Sequence, residues 1–374
     1  MATKVLVLFT SGLLGMAKNK YGVYEPTSQN LLKAIKEITM THDKKYPEEN
    51  ELDENYCALP RSSEEEKRII YTVMQYNPLK DSSNITKEDW VKMVKDIRDN
   101  YNAFEGFVVL HGTDTMAYTA SALSFMLEGL SKPVILTGSQ SPISNVKGDG
   151  IHNLVQALYI AANENISEVA LFFDKKLFRG NRVTNVSSTD LAAFDSPNFE
   201  PLLDIGVKQK EVFARKFSSL SLSGKGSSTR GYNKPTFHTS MNENVGLLHL
   251  YPGLKAETVR EFLKPPMEGA VLLTFGAGNC SSDLLKEIGN ACKKGSIVVN
   301  CTQCKRGFVS LSYSTGLNLS HEGVLSGADM TIEAAFTKLC FLLGNTSLSL
   351  QERKSMMTKN IRGEMTDAEP PDTF

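Results

Sequence analysis

The sequence has no apolar run approaching the roughly 20 residues that a membrane-crossing helix needs, which argues against a membrane partner of that kind. It has no excess of charge of either sign: 41 Lys+Arg stand against 42 Asp+Glu in 374 residues. A net charge near zero gives no electrostatic reason to expect nucleic acid or an anionic membrane surface as partner. No small-residue cleavage site follows the opening run MATKVLVLF, so that run reads as a first core strand rather than a signal peptide. Cysteine is sparse: Cys57, Cys280, Cys292, Cys301, Cys304 and Cys340, without the dense spacing of a disulfide scaffold. Cys301-Thr302-Gln303-Cys304 has C-x-x-C spacing, but the second ligand pair that a zinc site wants is missing. We therefore read free structural thiols and expect a reducing, cytoplasmic compartment.

What is present is an ordinary globular composition, 41% hydrophobic and 22% charged, long enough for two cores. Short β-rich runs alternate with helical patterns. Val5–Phe9, Gly106–Leu110, Pro133–Thr137 and Val169–Phe173 read as buried strands. Helical spacing occupies Asn30–Thr39, Asp114–Leu130 and Asn153–Asn163. Another helix opens at Thr86, with Asp89 three residues on as the partner of a capping box. The acidic stretch Asp43–Glu54 reads as a solvated loop. Strands separated by helices imply crossover units and a mainly parallel sheet.

From Val207 to His238 the chain is rich in Lys, Ser and Gly, and reads as a linker with a flexible loop at 218–231. Strands recur at Val245–Leu250, Ala270–Thr274 and Ile297–Asn300, with helices near Ala256–Leu263, Asp283–Lys293 and Met330–Leu343. The expected fold is α/β: a larger N-terminal domain (1–206), the linker (207–238), a smaller C-terminal α/β domain (239–364) and a tail (365–374).

Polar turns follow strands after Phe9, Leu110 and Leu136, where parallel sheets place their ligands. The segment His111-Gly112-Thr113-Asp114-Thr115-Met116 is the most specific. A glycine turn between strand and helix presents backbone N–H groups, hydroxyls and one carboxylate at a helix N-terminus. A small zwitterion suits that arrangement: its carboxylate meets N–H donors and the helix dipole, and its amino group meets Asp114. The bland alternative is that Thr113 or Asp114 only caps the helix.

His111–Met116, with the AYTASALSFML that follows, resembles the second signature of L-asparaginases, and most of all their cytosolic, bacterial-type I branch. Further matches run along the chain, among them Asp81–Asn84, Thr137–Gln140, Phe178–Arg182, Phe194–Asn198, Gly276–Asn279, Thr302–Cys304, Gly327–Thr331 and Ile361–Glu364. The resemblance implies an asparaginase-like amidohydrolase fold that splits L-asparagine to L-aspartate and ammonia without metal or cofactor. It implies a threonine nucleophile on the first turn, and a relay of a second threonine, an aspartate and a lysine. A neutral hydroxyl is a poor nucleophile without such a base.

Two positions depart from that pattern. The family's Thr-Gly-Gly-Thr-Ile-Gly is here Thr10-Ser11-Gly12-Leu13-Leu14-Gly15, which puts Leu13 in the nucleophile's place. Arg182-Val183-Thr184 is followed by Asn185 in place of the relay lysine. Thr113 and Asp114 keep their relay positions, and Thr10, Ser11 or Thr113 are the hydroxyls that could substitute as nucleophile. By the same resemblance Ser82 and Ser83 hold the substrate carboxylate, Asp114 its amino group, Asn279 comes from across a subunit interface, and Tyr24 belongs to a flap. Cys304 matches an effector position, and a homodimer or homotetramer, or mixed assembly with an active homologue, is expected. Three readings stay open: a pseudoenzyme that keeps a pocket for an amino-acid-like ligand, an amidohydrolase with unorthodox groups, and a non-catalytic interaction protein.

Overall fold

The computed structural model describes all residues except 1, 27–29, 62, 64–66, 143–144, 146–147, 206–233, 311–313 and 368–374. The expected 218–231 loop, most of the 207–238 linker and most of the tail lie outside the described residues. The chain divides into two compact units. The first holds residues 1–180, 185–195 and 201–238. The second holds 181–184, 196–200 and 239–374, so two short mid-chain segments belong to the second unit. No helix among the described residues is long and apolar enough to cross a membrane.

The first unit is built on an eight-stranded sheet. Its order is Leu203–Asp204, Lys176–Arg179, Val169–Phe173, Val134–Thr137, Gly106–Leu110, Thr3–Ser11, Ile69–Lys80 and Cys57–Ala58. The five strands from Val169–Phe173 to Ile69–Lys80 are mutually parallel. These strands are near-continuous apolar runs, and Val5, Val7, Leu8, Phe9, Phe107, Val108 and Val109 have no exposed surface. That is the pattern of a sheet covered on both faces. Each such side chain contributes about 1.5–3 kcal/mol by burial.

The expected helix at Thr86 runs over Lys87–Asn100 and carries the capping box, with Asp89 Oδ2 accepting from the Thr86 N–H at 2.7 Å. Local hydrogen bonds alone specify such a start. The helix expected from Asp114 to Leu130 is shorter, Met116–Met126. Leu127–Glu128 leaves it to pair with Thr236–Phe237 in a small antiparallel sheet. The acidic stretch contains a short helix, Lys45–Glu49, and is not solely loop. Ile69–Lys80, the longest strand, had no expected counterpart.

Strand order positions the site. Thr3–Ser11 lies between Ile69–Lys80 and Gly106–Leu110. The chain goes from the first strand to one neighbour, then crosses back to the other. The connections after these carboxyl ends therefore diverge, as at the switch points where open parallel sheets bind ligands.

The second unit has a four-stranded parallel sheet, in the order Val245–His249, Gly269–Thr274, Ile297–Thr302 and Leu325–Ser326. Its core includes Val259, Leu272, Ile288 and Val298. Arg182, Asp329, Gly363 and Thr366 form one hydrogen-bonded group within it, with Arg182 Nη1 2.9 Å from Asp329 Oδ2. Lys338 and Glu364 form an ion pair with no exposed surface.

Candidate functional site

The turns after three adjacent strands interlock. Gly12 has φ +108°, and a Cβ on it would come within 2.9 Å of the Gly112 nitrogen. A Cβ on Gly112 would come within 2.4 Å of Ser82 Oγ. Only glycine permits this approach at either place. The residues expected at the site on turns 10–13, 81–83 and 111–114 are thus brought together.

On the first turn, Thr10 Oγ1 donates to the Leu110 carbonyl at 3.0 Å, and Ser11 Oγ accepts from the Gly112 N–H at 3.0 Å. Each is only 1% exposed. Leu13 opens a one-turn 3₁₀ segment, Leu13–Gly15. Side chains diverge by about 120° per residue in such a turn. Leu14 is buried, with Cδ1 2.9 Å from where a Cβ of Gly150 would lie, while Leu13 stays half-buried. An antiparallel hairpin, Met16–Lys18 with Tyr24–Pro26, follows directly. Tyr24 is 42% exposed on it, and Lys18 Nζ lies 5.2 Å from its ring centroid.

Ser82 and Ser83 behave differently. Ser83 Oγ donates to Asp81 Oδ1 at 2.8 Å, a turn-forming bond, and the residue is exposed. Ser82 is buried, its carbonyl accepts from Thr115 Oγ1 at 2.7 Å, and its hydroxyl has no partner among the described residues. The cap of the Met116–Met126 helix is Thr115 rather than Thr113 or Asp114, and it makes no side-chain capping bond. The Thr113 hydroxyl and the Asp114 carboxylate likewise have no hydrogen-bond partner among the described residues; Thr113 is buried and Asp114 exposed.

Asn185 is brought to Thr113. Its Nδ2 donates to the Thr113 carbonyl at 3.2 Å and its Oδ1 accepts from the Ser187 N–H at 3.2 Å. Both ends of the amide are occupied. Asn279 and Cys304 belong to the second unit. Asn279 closes a tight turn, its backbone bridged to Phe275. Cys304 is exposed, its N–H donating to Thr302 Oγ1. Cys301 is buried within a strand, its thiol pushed up to about 12 by burial. The two cysteines of the C-x-x-C therefore sit in opposite environments.

Sequence reasoning missed a buried chain of polar groups behind the second turn. Trp90 Nε1 donates to Thr119 Oγ1 at 2.9 Å, and Thr119 Oγ1 lies 2.9 Å from His111 Nε2. His111 Nδ1 lies 2.8 Å from the Gly112 carbonyl. The indole can only donate, so the threonine oxygen accepts from it, which leaves the hydroxyl hydrogen free to donate to Nε2. The carbonyl can only accept, so Nδ1 carries the ring hydrogen. The ring is neutral, and burial pushes its pKa down to about 4.

From an unfolded value near 6.5, this group's contribution to stability is complete above about pH 6.5 and is lost as pH falls toward 4. In that window only the unfolded chain takes up the proton. The expected loss is up to about 3 kcal/mol, read from denaturant unfolding across the window. A His111→Gln variant should lack that component; an identical pH slope in both proteins contradicts the assignment.

The family model for the asparaginase N-terminal domain matches residues 4–217, and that for the glutaminase/asparaginase C-terminal domain matches 244–357. An L-asparaginase of Dirofilaria immitis is 44% identical over 372 residues, covering 97% of this chain and 61% of that protein. L-asparaginase 1 of Escherichia coli K12 is 39% identical over 365 residues, covering 97% of this chain and 98% of that one. The crystal structure of L-asparaginase I from Vibrio cholerae superposes with a TM-score of 0.79 at 38% identity, covering 98% and 100% of the two chains. The chain thus spans about three fifths of the Dirofilaria relative and nearly all of the bacterial one. By both family models and by these relatives, the chain belongs to the asparaginase family, with its large parallel-sheet N-terminal and smaller C-terminal α/β domains.

Proposed function

We propose that this member of the family binds a small amino-acid zwitterion at the interlocked turns and has lost L-asparagine hydrolysis by the family's route. The observation that carries the proposal is the state of Asn185: where the family pattern has a relay lysine, an amide is bonded at both ends and has no basic nitrogen to offer. Leu13 agrees with it, since a hydrocarbon cannot attack a carbonyl. Loss of a nucleophile or its base typically costs about 10⁴ to 10⁶ in rate.

The groups left without partners among the described residues suit a zwitterion: the Asp114 carboxylate for an ammonium, and the Ser82 and Thr113 hydroxyls for a carboxylate. A second reading has one observation in its favour: the Thr113 hydroxyl has no partner among the described residues and so is available as a substitute nucleophile. Thr10 and Ser11 are less suited, the one having given its proton to Leu110 and the other accepting from Gly112, both fully enclosed.

Titration of L-aspartate and L-asparagine into the protein tests the binding half. Saturable binding is expected, weakened about tenfold or more in Asp114→Ala, which removes the counter-charge to the amino group. No heat and no saturation with either ligand would sink the reading and favour an interaction role.

A further inference from the structure

The two peptide units of the second turn are held by side chains on the carbonyl side. His111 Nδ1 donates to the Gly112 carbonyl, and Asn185 Nδ2 donates to the Thr113 carbonyl. In a planar trans peptide the C=O and N–H point in opposite directions, and among the described residues the cis bonds are the prolyl bonds Asn77-Pro78 and Pro265-Pro266, away from this turn. Fixing the Gly112 carbonyl therefore aims the Thr113 N–H away from His111. Fixing the Thr113 carbonyl aims the Asp114 N–H away from Asn185. Neither N–H has an acceptor among the described residues. Successive N–H groups turned outward form a concavity that accepts an anion. Next to them, beside Gly112, is the hydroxyl of the buried residue Ser82, which has no partner among the described residues and can donate to the same anion.

We infer that Asn185 and the Trp90–Thr119–His111 chain are positioning residues that hold the 112–114 turn open as a carboxylate cradle, so the substitution at 185 exchanges a proton relay for a backbone clamp. The inference rests on the zwitterion-binding reading and deepens it by naming what holds the carboxylate: two N–H groups and Ser82. Ser83 is left out because its proton is already given to Asp81. Trp90 and Thr119 act at a distance, since each fixes the next member of the chain and only His111 reaches the turn.

The test is calorimetric titration of L-aspartate and of its diamide, which keeps the ammonium and the size but has no carboxylate. The unmodified chain should prefer L-aspartate. Asn185→Leu, at a half-buried position, should bind L-aspartate about tenfold more weakly and the diamide nearly unchanged, narrowing the preference. Thr119→Val should do the same, and Thr119→Ser should restore it. A merely structural role would weaken both ligands alike. Asn185→Leu with undiminished affinity and preference overturns the cradle alone. An unmodified chain that binds neither compound overturns the cradle together with the site reading beneath it.

Discussion

Replacing Leu13 with threonine and Asn185 with lysine in one variant is expected to raise ammonia release from L-asparagine by about 10⁴-fold or more over the unmodified chain. On the proposed reading, these two changes supply the groups that the family pattern has and this chain lacks. The first and second turns meet at Gly12 and Gly112, and the side chains of Thr113 and Asp114 have no hydrogen-bond partner among the described residues. Asparagine at 185 already touches the Thr113 carbonyl. A lysine there reaches farther, and a partly desolvated amine near a hydroxyl is easier to keep neutral. Each single change should recover little: Leu13→Thr supplies a hydroxyl with no base, and Asn185→Lys a base with nothing to activate. Such groups act as a unit, so the double variant should far exceed the product of the two singles. A double variant that binds L-asparagine yet stays inert would show that some other group is missing.

The second large effect concerns stability in the second unit. Lys338 and Glu364 have no exposed surface and lie 2.5 Å apart. The ammonium donates to Glu364 and to the carbonyls of Met357 and Lys359, with the Met365 sulfur 3.8 Å away. The carboxylate also accepts from the N–H groups of Ile361 and Arg362. Removing one member leaves the other charged and enclosed, so Lys338→Met should cost about 3–5 kcal/mol. Replacing both with apolar residues should recover less than usual, because the Ile361 and Arg362 N–H groups lose their acceptor. The exposed pair Lys293–Glu322, at 3.4 Å with side chains 72% and 33% exposed, is the contrast, and Lys293→Met should change stability little. Denaturant midpoints of the two variants measure the difference, and similar small shifts would refute the account of the buried pair.

What could be read in the sequence follows the reach of the interactions. The capping box at Thr86 and Asp89 is local, three residues apart, and was legible. Ile69–Lys80 was not, because Thr72, Gln75, Asn77 and Pro78 interrupt its apolar run and its last residues are half-exposed. Its role as a sheet member comes from pairing with Thr3–Ser11, a tertiary fact. The helix after Gly112 starts at Met116 rather than Asp114 because residues 113–115 form a turn.

Of the three interlocked turns, 81–83 was marked by family pattern alone, because the strand before it was not foreseen, whereas 10–13 and 111–114 were legible from strand-end position. The Trp90–Thr119–His111 chain was not, since its members lie on different elements and show no shared periodicity. A buried indole and a buried imidazole both need partners, which is the only signal the sequence carries. Asn181 and Arg182, at the end of one family-like segment, are partners of another, Ile361–Glu364, within the second unit, with Arg182 Nε donating to the Gly363 carbonyl at 2.9 Å. Their resemblance marks a packing arrangement, which no local pattern distinguishes from chemistry.

The measurement that bears most directly on the central claim is ammonia release from saturating L-asparagine by the unmodified chain, run beside Thr113→Ala. The account predicts no release above that of the Thr113→Ala protein. Sustained release by the unmodified chain that vanishes in Thr113→Ala would contradict it and establish Thr113 as the working hydroxyl.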